Sequence, residues 1–221
     1  MKLRGILESG ALAVNVVLVC VLSLVVFRKG GPGYLAIAQW LETRSVHREL
    51  TSQWRAIASG QRRLDEGGGD VRLVEFADYQ CPYCAQNHVE ISRLLHDYPT
   101  VGIAFRHYPL ATHRAARGAA LASLCAEEQG RFRDMHARLF GDSRWQSDTN
   151  WSREAAAAGV PNLQRFSECL RDSSTERRLQ ADMALGRDLV VRGTPTFFSR
   201  SEGIRGLASE SALVRLAHLS Q

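Results

Sequence analysis

The sequence predicts an α/β domain with a helical insertion, preceded by an N-terminal transmembrane helix. Three observations lead there. An uncharged apolar run fills residues 9–27. A strand-like segment at residues 71–76 runs directly into a C-x-x-C motif and a helical pattern. After a long stretch of purely helical signals, strand character returns at residues 194–198. The 221 residues suffice for one ordinary domain and an appendage, and 45% hydrophobic with 23% charged residues describes a globular chain rather than a disordered one.

At 1.5 Å per residue the apolar run reaches roughly 28 Å, close to the hydrocarbon thickness of a bilayer. Asn15, Cys20 and Ser23 are tolerable within one span, and Cys20 reads as an apolar side chain among lipid. A cleaved signal peptide is the alternative. Its small-x-small site would be Ala36-Ile37-Ala38, well past the apolar run and beyond Arg28, Lys29 and the glycines that follow, whereas signal peptides are cut close behind a shorter core. An uncleaved anchor over residues 1–29 is therefore expected. Basic charge is nearly balanced across the run, so the flanks alone do not set its orientation.

Residues 30–69 form a spacer. Between Leu35 and Gln61 the pattern is amphipathic, with Val46, Leu50, Trp54 and Ile57 on one helical face. The stripe is too short for a convincing coiled coil, which favours a helix lying on the globular domain or the lipid surface over a dimerising one. Gly67-Gly68-Gly69 marks a boundary, and the compact domain is expected over residues 70–221. Its first strand, residues 71–76, is apolar on both faces, as a central strand requires. A helix should run from the cysteine pair to about Tyr98, followed by a strand over residues 101–107. The insertion, about residues 111–190, shows only helical signals, punctuated by Gly130, Gly141, Gly159 and Pro161. A final helix from Glu210 to Leu219 closes the chain.

The net charge of +5 is spread over single and paired basic residues, with no basic stripe interleaved with aromatics, which gives nucleic-acid binding no support. The five cysteines, at 20, 81, 84, 125 and 169, are too few for a disulfide-stapled scaffold. A zinc site would need four ligands. The chain has no second C-x-x-C, and Cys125 and Cys169 lack paired spacing, so no metal is expected. The remaining reading of Cys81-Pro82-Tyr83-Cys84 is a redox pair. At a helix start, unpaired N–H groups and the helix dipole stabilise a thiolate. Cys81 is expected to be exposed and to exchange with substrate; Cys84, one turn in, would resolve the mixed disulfide. Pro82 suits the first helical turn. Glu75 lies in the middle of an apolar strand, where an acid is costly unless satisfied or functional, although a strand-end carboxylate reaching solvent remains open. Asp78 reads as a turn or helix-start residue, His88 as an exposed helical histidine, and Trp145 and Trp151 as packing. Nothing in the spacing of His107, His113 and His136 requires a metal or a catalytic base.

The segment from Glu75 to Cys84, taken with Val191-Arg192-Gly193-Thr194-Pro195-Thr196-Phe197-Phe198, resembles the DsbA-like branch of the thioredoxin superfamily. The likeness runs from about Val71 to the C-terminus and implies a thioredoxin fold with a helical insertion. It implies that Pro195 is cis and faces the disulfide, with the Thr194 backbone placed to pair with an extended substrate. It implies that Glu75 lies beneath Cys84 and exchanges protons with it, and that no cofactor is needed beyond the disulfide itself. Some relatives carry a cysteine pair in the insertion, which suggests a structural bond between Cys125 and Cys169; two separate buried thiols are the alternative.

The function expected is that of an anchored extracytoplasmic thiol–disulfide oxidoreductase. It would introduce disulfides into exported proteins and be reoxidised by a quinone-linked membrane partner, in the periplasm if the cell is Gram-negative. A reductase or isomerase of the same fold is the alternative, and a tethered binding module with an idle disulfide is a third.

Overall fold

Valine, leucine and phenylalanine on both faces commit residues 70–77 to a buried strand, and the computed structural model places β1 (Asp70–Ala77) at the centre of a four-stranded sheet. The structure describes residues 26, 28–59, 62–66 and 69–219. Apart from Val26, the expected membrane span at residues 9–27 lies outside the described residues, and no helix among those described is long and apolar enough to cross a membrane. The chain divides into two units, Met1–Ser45 and Val46–Gln221. The helix α1 (Pro32–Ile57) contributes to both.

In the second unit, β1 pairs in parallel with β2 (Val101–His107) and antiparallel with β3 (Thr196–Phe198), which pairs in turn with β4 (Gly203–Arg205), for a sheet order β2-β1-β3-β4. The short β4 is an addition to the strands read from sequence. The third strand begins at Thr196 rather than Thr194: its pairing with β1 starts at Phe76 and Thr196, and Pro195 before it has no N–H to donate; the Thr194-Pro195 bond is cis.

Alternation along β1 divides the core. Leu73 packs with Ile91 and Leu94 of α2 (Pro82–Asp97), with Phe197, and with Leu213 and Leu216 of α8 (Glu210–Leu216). Val74 and Phe76, on the other face, pack with Leu50, Ile57, Leu189 and Val191. The Val46, Leu50, Trp54 and Ile57 stripe thus lies on the globular domain, one of the two places its pattern allowed. The domain also takes in residues upstream of Asp70. Phe105 donates its N–H to the Arg62 carbonyl at 2.8 Å and Leu64 donates to that of Ile103 at 3.0 Å, covering the free edge of β2.

Between β2 and β3 lie five helices: α3 (Ala116–Glu127), α4 (Phe132–Gly141), α5 (Trp151–Ala157), α6 (Leu163–Cys169) and α7 (Ser173–Asp188). Asn150, Asn162 and Asp172 cap α5, α6 and α7 through side-chain oxygens, which explains how such short alanine- and arginine-rich segments start where they do. Cys125 of α3 and Cys169 of α6 are joined by a disulfide with Cα atoms 5.7 Å apart. Gly186 lets α7 approach the sheet, since a Cβ there would lie 2.5 Å from the Tyr108 ring.

A buried ion-pair network ties the upstream segment, the sheet and the insertion together. Arg62 donates to both Asp182 oxygens at 2.8 Å and to Glu127 at 3.1 Å, while Arg106 and the His107 N–H reach Asp182, each at 3.1 Å. Asp182 is 2% exposed, so its three donors are what make a carboxylate tolerable there.

Candidate active site

The site is assembled where β1 ends. Asp78 organises the turn: one carboxylate oxygen accepts the Gln80 N–H at 2.7 Å, and the other accepts the Leu110 N–H at 2.8 Å and pairs with His113 Nδ1 at 2.7 Å. Its carbonyl accepts the Cys81 N–H at 3.0 Å. Asp78 is therefore more than a turn former, because it pins the loop after β2 to the cysteine-bearing turn. Cys81 is the N-cap of α2, in extended backbone geometry, and Pro82 fills the first helical turn at no hydrogen-bond cost.

Both cysteines are free thiols. Contrary to the exposed position expected for it, Cys81 is only 4% exposed, because the 194–195 loop covers it; its thiol donates to the Thr194 carbonyl at 3.3 Å. Cys84 is fully buried. The two thiols are driven apart in acidity. A hydrogen bond from Cys84 and the neighbouring Thr194 hydroxyl, working against burial, bring Cys81 down to about 5. Burial first, then the hydrogen bond to Cys81 and the charge of Glu75, push Cys84 far up. The Thr194 hydroxyl is buried and makes no hydrogen bond, so its bonding capacity is free for the sulfur.

Glu75 is 1% exposed, and neither carboxylate oxygen has a hydrogen-bond partner. Burial, aided by a negative charge on Cys81, raises it to about 8. It is a neutral acid at pH 7, which rules out the solvent-reaching alternative. Tyr83, beside the pair, is 56% exposed.

A second ring of bonds was not read from the sequence. Asn87, on the buried face of α2 with Cys84, Ile91 and Leu94, accepts the Ala208 N–H at 3.0 Å and donates to the Ala208 carbonyl. Gly206 donates to the Pro195 carbonyl at 2.8 Å. The 206–208 loop, with Leu207 more than half exposed, is thus tied both to the cysteine helix and to the cis proline. The available signal was a lone asparagine on an otherwise apolar stripe. His88 is half-buried rather than exposed, packed with Phe140 and His136, and Tyr79 bonds Ser123 at 2.9 Å and His136 at 3.2 Å. Burial lowers His88, His107 and His136, so all three are neutral at pH 7. Among the described residues no three potential ligands come together as a metal site.

The thioredoxin family profile matches residues 68–216. The chain belongs to the thioredoxin family. A thioredoxin-like oxidoreductase from Silicibacter pomeroyi is 27% identical, with a TM-score of 0.67 over 74% of this chain and 95% of its own. The thiol-disulfide exchange protein α-DsbA2 of Wolbachia pipientis shares the fold at 20% identity, with a TM-score of 0.70 over 80% of this chain and 97% of its own. Among curated proteins, Na(+)/H(+) antiporter NhaA 3 of Salinispora tropica is 36% identical over 154 residues, 68% of this chain but 24% of the antiporter. This chain therefore spans about a quarter of that relative's length. Disulfide bond formation protein D of Bacillus subtilis is 24% identical over 67% of this chain and 72% of its own. The resemblance to DsbA-like proteins drawn from the two motifs holds.

Proposed function

We propose that the chain is an oxidase anchored in the membrane, with its catalytic domain outside the cytoplasm, that passes a disulfide from Cys81 and Cys84 to exported proteins. The observation that carries the direction is the acidity of Cys81. Lowering it from 9.0 to about 5 favours the reduced pair at pH 7 by about 2.7 kcal/mol, roughly 60 mV toward a more oxidising couple. A pair that is stable when reduced gives its disulfide away readily.

In this reading a substrate thiolate attacks Cys81 of the Cys81/Cys84 disulfide. An intermolecular S–S bond forms and Cys84 leaves as a thiolate in a buried site that disfavours its charge. Glu75, protonated at neutral pH, would give Cys84 a proton. A second substrate thiolate then attacks its own sulfur in the mixed disulfide, closing the substrate disulfide and releasing Cys81 in its stable thiolate form. Two electrons pass from substrate to enzyme, and a quinone-linked membrane oxidase would remove them. The Thr194 and Pro195 backbone beside Cys81 is where an extended substrate would pair.

The outward placement of the domain rests on the residue 9–27 run together with oxidisable cysteine pairs, which cytosolic reductants would keep open. Equilibration with glutathione tests the direction. An oxidase should have a reduction potential nearer about −120 mV, whereas a value near thioredoxin's, about −270 mV, would make the chain a reductase.

A further inference from the structure

Nine large hydrophobic side chains are exposed among the described residues, and five of them, Tyr34, Leu35, Ile37, Trp40 and Leu41, fall within eight positions of α1. With 3.6 residues per turn, Trp40, Ile37, Leu41, Tyr34 and Ala38 occupy an arc of about 160°, with Gln39 and Thr43 opposite. The Arg44 guanidinium lies 4.5 Å over the Trp40 ring, and at 3.6 residues per turn Arg44 follows Trp40 on the same side of the helix, where the apolar arc ends. The stripe is separate from the Val46, Leu50, Trp54 and Ile57 set that packs on the sheet.

We propose that residues 34–41 lie in the surface layer of a lipid bilayer, as an interfacial helix that follows the membrane anchor. The inference rests on the anchored reading of residues 9–27. Only Arg28, Lys29, Gly30 and Gly31 separate Phe27 from Pro32, so the helix starts within about 17 Å of the end of the apolar run even if that link is fully extended. That keeps its first turns within reach of the headgroup layer. Tyrosine and tryptophan favour this layer, apolar body inward and polar edge to water. Between residues 28 and 48, Arg28, Lys29, Arg44 and Arg48 face one carboxylate, Glu42, an excess suited to anionic headgroups. A second copy of the chain fits the stripe less well. Continuing the Tyr34, Ile37, Leu41 spacing along the same helix puts Arg44 and Arg48 next in the seam, which ends a self-association interface after two layers.

The test uses the full chain in vesicles of phosphatidylcholine and phosphatidylglycerol containing lipids brominated near the headgroup end of the acyl chain. Tryptophan emission should be quenched, and Trp40→Phe should remove most of the lipid-dependent quenching. Extraction by alkaline carbonate is measured in parallel. Chain that resists extraction but shows no Trp40-dependent quenching would overturn the interfacial helix and leave the anchor standing. Chain that is extracted, yet keeps Trp40 quenching when rebound to the vesicles, would remove the anchor and retain the surface helix. Copy-to-copy crosslinking at Leu41→Cys with a short bis-maleimide, absent from the parent chain, would assign the stripe to self-association and overturn the proposal.

Discussion

Glu75 offers a test in which sign and size both follow from the structure. Its carboxyl is raised from 4.5 to about 8, first by burial and then by the charge of Cys81. The folded state therefore holds a proton that the unfolded chain releases above pH 4.5. Stability from this group is lost as pH rises from 4.5 to about 8, at about 1.4 kcal/mol per pH unit, or about 3 kcal/mol by pH 7. Cys81 has the opposite slope. Lowered to about 5, it contributes stability that is complete above pH 9 and lost as pH falls toward 5. In the reduced protein the two slopes oppose each other across pH 5–8, and the stability profile should be nearly flat as far as this pair decides it.

Glu75→Gln should unmask the Cys81 slope. Relative to the parent, the reduced variant should gain about 1.4 kcal/mol for every pH unit between 5 and 8, superimposed on a pH-independent penalty of about 1–3 kcal/mol for burying an amide with no partner. Neutral His107 and His136 contribute equally to both proteins and drop out of the difference. Oxidation removes the Cys81 titration and its charge, so oxidised parent should lose stability with rising pH in this window. The assay is denaturant unfolding of both proteins, reduced and oxidised, at pH 5, 6, 7 and 8. Parallel profiles for parent and Glu75→Gln would refute the assignment of a raised, unpartnered carboxyl.

Other expectations follow from the same geometry. Cys84→Ser should accumulate mixed disulfides between Cys81 and substrate proteins on non-reducing gels, and Cys81→Ser should abolish exchange; alkylation of reduced Cys81 should lose rate only near pH 5. Asn87→Leu, of similar volume, should slow reaction with unfolded protein substrates about 5- to 10-fold with little change toward a small dithiol, because it frees the 206–208 loop and leaves the sulfurs in place; equal loss toward both would mean a purely structural role. Asp182→Ala should destabilise by about 3–5 kcal/mol in denaturant unfolding, since it leaves Arg62 with Glu127 as its one remaining carboxylate and removes the buried acceptor of Arg106 and the His107 N–H. Replacing both Cys125 and Cys169 by alanine should cost about 3–4 kcal/mol in the chain-entropy account, measured as a lowered unfolding midpoint with exchange activity retained.

What the sequence disclosed about this site divides by the range of the interactions involved. The helix start at Cys81, the strand carrying Glu75 and the strand after Pro195 follow from local patterns, and all three are present. The 4% exposure of Cys81 was not accessible in the same way, because the loop that covers it lies more than 100 residues downstream. Arg62 illustrates the same limit. In sequence it is half of an exposed-looking arginine pair, yet it is buried because Asp182, Glu127 and the edge of β2 converge on it from three separate segments. The added strand β4 has three residues and only Ile204 for an apolar signal, too short for alternation to register.

Asn87 and Glu75 mark the boundary between these two kinds of information. Each is a polar residue on an apolar periodic face, so local pattern identifies the position as one needing explanation. Pattern does not say which explanation applies. Asn87 is matched on both sides by the Ala208 backbone, so its polarity is used up in holding a loop. Glu75 has no hydrogen-bond partner and remains a neutral acid in the buried site containing Cys84. The same sequence signal therefore yields a clamp in one case and an unpartnered buried acid in the other. The deciding quantity is whether a partner arrives from a distant segment, because a satisfied group is stabilised where it sits while an unsatisfied one keeps a proton it can exchange.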